Sequence, residues 1–146
     1  MIKKLIPPIV VALLATLFVP GVRTVYADEG HIQASIDIKP GSYPNAINIT
    51  SNGVIPVALL GSATFDVYTV DINTVEFGPM SQHMHGAGAR PVRYAYEDVN
   101  NDGLVDLIFN FKTQDTGLQR DDTEACLHGT FVGGHFCGHD TVKVIG

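Results

Sequence analysis

Residues 97–111 read Glu-Asp-Val-Asn-Asn-Asp-Gly-Leu-Val-Asp-Leu-Ile-Phe-Asn-Phe, and the two halves of this stretch follow different rules. In the first half, oxygen-bearing side chains fall at every second position, Asp98, Asn100 and Asp102, and Gly103 follows them. A hard cation such as calcium takes six to eight oxygens, and a chain coiling round it presents side-chain oxygens at alternate positions. Gly103 permits the sharp reversal that turns the backbone carbonyl of Leu104 towards the ion, and Asp106 closes the shell directly or through water. In the second half, the residues after Asp106 alternate as a strand does. The stretch therefore predicts a calcium loop feeding a β-strand over residues 104–111.

An EF-hand would place a bidentate Glu where Phe109 stands and would continue into a helix. Neither feature is present. The spacing is similar instead to the Asp-x-Asp-x-Asp-Gly-x-x-Asp loops of integrin-type propellers and thrombospondin-like repeats, although this chain carries a single copy. Three carboxylates crowded into one loop repel one another, so an ion would order the loop and fix the entry of the strand. That makes calcium the expected cofactor, in a structural role.

Strand periodicity extends outward in both directions. Residues 31–38 alternate, with Ile32, Ala34, Ile36 and Ile38 on one face, and a turn cluster at 39–45 ends them. Residues 47–49 and 54–60 follow, the second run apolar enough for burial on both faces, with Pro56 marking an edge or a bulge. Val70, Ile72, Val75 and Phe77 break strict alternation, which predicts a bend at Asn73-Thr74. Residues 78–91 read as a loop, and 92–96, 124–131 and 141–145 as further strands. No helical pattern of useful length appears after residue 27. The prediction is all-β: an antiparallel β-sandwich, immunoglobulin-like in size, with about seven to eight strands.

Residues 1–27 stand apart. Lys3 and Lys4 precede an apolar run over 5–19 interrupted by Pro7-Pro8, and Val25-Tyr26-Ala27 supplies the small residues of a cleavage site. The run falls short of the roughly 20 residues that span a bilayer, so it reads as a secretory signal rather than an anchor. The expected mature chain, 28–146, is a single domain, secreted or periplasmic, with association at the cell surface as a further expectation. It retains six basic and 15 acidic side chains, a net charge of −9. Nucleic acid and anionic lipid need Lys and Arg to neutralise phosphates, so such a surface argues against both. Cations are the better-matched partners.

Export also bears on Cys126 and Cys137, the only two cysteines. In an oxidising compartment an even pair favours a disulfide, here across a hairpin turning at Val132-Gly133-Gly134 and worth up to about 2–3 kcal/mol. A weaker constellation, His83-Met84-His85, offers imidazoles and a thioether suited to copper or zinc, with His128, His135 and His139 near the hairpin. Tyr43, Tyr68, Tyr94 and Tyr96 offer a carbohydrate platform, though without Trp. No Gly-x-Ser-x-Gly elbow is present. Asp98 is better explained as a cation ligand than as half of a glycosidase pair.

The stretches Ile36-Asp-Ile-Lys-Pro-Gly-Ser42, Gly53-Val-Ile-Pro-Val-Ala-Leu-Leu-Gly61, Thr74-Val-Glu-Phe-Gly-Pro79, Glu97-Asp-Val-Asn-Asn-Asp-Gly103 and Asp122-Thr-Glu-Ala-Cys-Leu127 resemble, in order and wording, a module of secreted bacterial and archaeal proteins. The resemblance covers roughly residues 34–145. It implies a calcium-loop β-domain and brings no catalytic residue with it. The chain departs from the module at Asn101, where Gly is frequent, and at Asn110 and Tyr94 to Tyr96, where His occurs. The expected function is non-enzymatic: a calcium-binding structural or adhesive module that meets other extracellular proteins or glycans. An exported His/Met metal-binding protein and a carbohydrate-binding accessory are the alternatives.

Overall fold

Apolar residues at every second position need a surface to cover, and in this chain two sheets cover each other. The computed structural model describes residues 30–82 and 88–146, of which His31–Gly146 form one compact unit. The signal reading and His83, Met84 and His85 lie outside the described residues. Among those described are ten strands, β1 (His31–Gln33), β2 (Ile36–Ile38), β3 (Ala46–Asn48), β4 (Val54–Leu59), β5 (Val70–Pro79), β6 (Pro91–Glu97), β7 (Asp106–Lys112), β8 (Glu124–Phe131), β9 (Gly134–Thr141) and β10 (Lys143–Ile145). They form sheets in the orders β1-β9-β8-β5 and β2-β4-β7-β6, with a small β10-β3 pair. The described helical segments are three-residue 3-10 turns, and none is long and apolar enough to cross a membrane.

The architecture is the expected all-β sandwich, with two corrections. There are ten strands rather than seven or eight, and two short pairs, β1 with β9 and β3 with β10, run parallel. Part of the excess comes from 31–38, one alternating run that divides between the sheets: β1 pairs β9 and β2 pairs β4. Its apolar face stays inward throughout. Gly138 makes the crossing possible, because a Cβ there would sit 2.7 Å from the Ala34 carbonyl oxygen and 2.8 Å from Ile36 Cγ2.

The inner faces meet in a core of Ile55, Val57, Leu59, Leu107, Phe109 and Phe111 against Val75, Phe77, Ala125, Leu127 and Phe136. Phe77 stacks on Phe111 across the interface, with centroids 5.1 Å apart. Packing of this kind is the main stabilising contribution in a sandwich.

Local chemistry explains the irregular points. Pro56 lies in an interior strand, yet β2 pairs only with 57–59 and Lys39 N–H donates to the Pro56 carbonyl at 2.8 Å. The proline nitrogen therefore faces the side where the short β2 has ended, and no ladder bond is lost. The bend in β5 is also present, as a register shift between Asp71 and Glu76. Asp71 holds it, accepting from Asn73 N–H with its carboxylate and from Thr74 Oγ1 with its carbonyl.

At the other end of the sandwich Asp140 Oδ2 accepts from Ile38 N–H and from Asn45 Nδ2, each at 3.0 Å. Burial, and then repulsion by Asp140, raise the pKa of nearby Asp37 above the ordinary carboxylate value. A carboxyl group whose folded pKa is raised destabilises the fold once ionised, and that cost vanishes below its unfolded pKa. Asp37→Asn should therefore raise the melting temperature at pH 7 and leave it unchanged near pH 3. Scanning calorimetry at the two pH values is the check, and a lower melting temperature at pH 7 would refute it.

Candidate functional site

The 98–106 loop enters from the end of β6 and feeds β7, and its conformation follows from its own side chains. Asp98 Oδ1 accepts from Asp102 N–H at 3.2 Å and Oδ2 from Gly103 N–H at 2.9 Å, while Asp102 Oδ1 accepts from Leu104 N–H at 2.9 Å. These are the turn-forming bonds that short acidic side chains make to backbone ahead of them. Two residues take left-handed backbone, Asn101 at φ 59° and Gly103 at φ 86°. Asn tolerates that region better than most other side chains, so a non-glycine residue can stand at this turn.

Asp106 behaves differently from the other candidate ligands. It is fully buried, with Oδ1 accepting from Gly61 N–H at 2.8 Å and Oδ2 from Val99 N–H at 2.9 Å. It ties the loop entrance to the residues after β4. Asp98, Asn100, Asp102 and Leu104 form the loop above it, half-exposed or exposed. A carboxylate has about four lone-pair sites, so Asp106 keeps capacity beyond these two bonds. Among the described residues, no group of three or more His, Cys, Asp or Glu side chains is assembled to hold a metal ion.

The loop borders two depressions. One, of about 440 Å³, is lined by Gln33, Ser35, Ser62, Thr64, Asn100 and Asp102 among others. The second, of about 320 Å³, includes Asp66, Tyr68, Gly103, Leu104 and Val105 in its wall. Comparison with protein-family models, curated proteins and solved structures finds no match. The geometry is therefore the ground for a functional reading.

Three of the four predicted tyrosines converge beside the second depression. Tyr68 stacks on Tyr96 with centroids 4.4 Å apart, and Tyr94 meets Tyr96 edge-on at 6.0 Å. All three are exposed, and Tyr96 has its pKa raised, first by partial burial and then by Tyr94, Tyr68 and Asp66. Tyr43 stands elsewhere, in the turn after β2. Strand alternation puts Tyr94 and Tyr96 on one face of β6, whereas Tyr68 arrives from the 3-10 turn Val67–Thr69, which Asp66 caps by accepting from Tyr68 N–H.

The hairpin of β8 and β9 turns at Val132-Gly133 and holds Cys126 and Cys137 diagonally across adjacent strands, two residues out of direct register, with Cys126 opposite His139 and Cys137 opposite His128. Both are buried thiols, with Sγ atoms 3.2 Å apart. Burial, and then the hydrogen-bonded Cys137, push the Cys126 thiol up, so it is a weak nucleophile as it stands. Strand alternation puts His128, His135 and His139 on the same outer face as the thiols, away from the core. They do not converge: His139 Nδ1 lies 2.9 Å from Glu124, and His128 Nε2 lies 3.8 Å from buried Glu76.

Proposed function

We propose that this protein is a secreted, non-enzymatic β-sandwich module whose 98–106 loop binds one calcium ion as a conditional brace. The observation that carries the reading is the way Asp98 and Asp102 fold back on backbone N–H groups around Gly103, leaving their remaining lone pairs and those of Asn100 to one loop. A cation relieves the repulsion between these carboxylates, and the buried Asp106 carries the resulting order into β7. The acidic composition and the resemblance to secreted modules support the same reading. The bridge between Cys126 and Cys137 belongs to it as well: oxidation during export would join the two adjacent thiols and pin β8 to β9.

Extracellular modules bind calcium with dissociation constants of about 0.1–1 mM. At ten times the dissociation constant the linkage is worth about 1.4 kcal/mol, or about 4–8 °C in melting temperature for a domain of this size. Calcium should produce that rise, magnesium much less, and Asp102→Ala should abolish it while leaving the chelated protein's melting temperature within about 2 °C. A melting curve identical with calcium and with chelator would sink the proposal.

A further inference from the structure

β6 is the outer strand of the second sheet, and residues 92–97 are exposed along their whole length. An open edge presents unpaired N–H and C=O groups and is a ready template for another strand. The other edges of the sandwich are shorter or covered. β1 and β2 have three residues each, and the rim of β5 is bent between Asp71 and Glu76 and met at Phe77 by a return of the same chain, where Phe77 and Ala89 exchange both backbone hydrogen bonds. On β6, Pro91 and a register shift at Val92 interrupt one end, but 93–97 pairs regularly with β7, and its two charged residues, Arg93 and Glu97, are of opposite sign, so they blunt the edge against some strands and fit it to others.

The residues on that free edge are complementary to themselves. Arg93, Ala95 and Glu97 share one face of the strand, and Tyr94 and Tyr96 share the other, where their β7 partners Phe109 and Leu107 face the core. Neither Arg93 nor Glu97 is among the residues that form ion pairs within the described chain. An isologous strand pair about a two-fold axis normal to the sheet keeps each side chain on its own face, so the axis must pass beside a single residue. An axis at Tyr94 sets Tyr96 against the irregular Val92 and leaves Arg93 opposite alanine. An axis at Tyr96 sets Tyr94 against Asp98. An axis at Ala95 places Arg93 opposite the partner's Glu97 twice over, and Tyr94 opposite the partner's Tyr96.

We propose that the protein forms a symmetric dimer in which β6 pairs antiparallel with β6 of a second copy, centred on Ala95. The two four-stranded sheets become one of eight strands, and the two tyrosine ledges become continuous on its inner face. Opposite charges and aromatic pairs directly across strands are the contacts that stabilise such a pairing. Its small area makes it a weak association that is strengthened wherever the chains are concentrated.

Sedimentation equilibrium of the purified protein up to about 0.5 mM reads millimolar-range contacts, and a monomer–dimer equilibrium is expected. Arg93→Glu and Glu97→Arg should each weaken the dimer at least about tenfold, since each turns two attractive pairs into repulsive ones. An equimolar mixture of these two variants should regain it as a heterodimer, and the doubly reversed chain should regain it to within about threefold. A protein monomeric throughout the range would overturn the proposal and leave the edge to a different partner. A dimer indifferent to both reversals would overturn it equally. All substitutions lie on exposed positions, and circular dichroism melts would confirm that the variants fold.

Discussion

Asp106→Ala is expected to lower the stability of the protein by about 3–5 kcal/mol, because it removes a charged acceptor from two buried or half-buried N–H groups at once. Gly61 N–H and Val99 N–H both point at this carboxylate, and a methyl group in its place offers neither of them an acceptor. Hydrogen bonds to a charged group are worth about 1.5–3 kcal/mol each, and unpaired buried donors add their own desolvation penalty. Asp106→Asn should cost less, since the amide oxygen still accepts from one of the two. Urea unfolding of the calcium-free variants measures both differences. Asp106→Ala should be destabilised with or without calcium, whereas Asp102→Ala should differ from wild type only when calcium is present. If Asp106→Ala lost stability solely in calcium, Asp106 would be a ligand and not an anchor.

This contrast shows what a single sequence can and cannot reveal. Positions 98–106 were legible as a turn-forming acidic loop because its bonds are local, two to five residues apart. The anchoring role of Asp106 was not, because its partner Gly61 is 45 residues away. The same division holds in the fold. The alternation over 31–38 identified the inward face correctly but could not reveal that the run changes sheets, which depends on Gly138 far along the chain. β8 was legible as a strand at its true bounds, Glu124–Phe131. β9 is implied in the sequence only by the hairpin that carries Cys137 and has no legible bounds, since Gly-His-Phe-Cys-Gly-His-Asp-Thr carries little strand propensity of its own and is held by pairing with β8 along its full length. Tyr68 joined Tyr94 and Tyr96 for the same reason, through a tertiary contact between a 3-10 turn and an edge strand.

Gly61→Ala is expected to be as damaging as the loss of Asp106, about 3 kcal/mol or more, although it adds only a methyl group. A Cβ at this position would lie 2.1 Å from the Val105 carbonyl oxygen and 3.3 Å from its carbon, both backbone atoms that no rotamer change can move aside. Relief requires the strand end after β4 to part from the 98–105 loop, and that movement also draws Gly61 N–H off the Asp106 carboxylate. The two substitutions thus break a single junction by different routes. In a double-mutant cycle the combined cost of Gly61→Ala and Asp106→Ala should fall short of the sum of the singles by at least about 1 kcal/mol. Strict additivity would mean that the steric contact at Gly61 and the hydrogen bond at Asp106 act independently. The deficit is expected because, once the loop has separated from Gly61, one of the two bonds that Asp106 contributes is already gone.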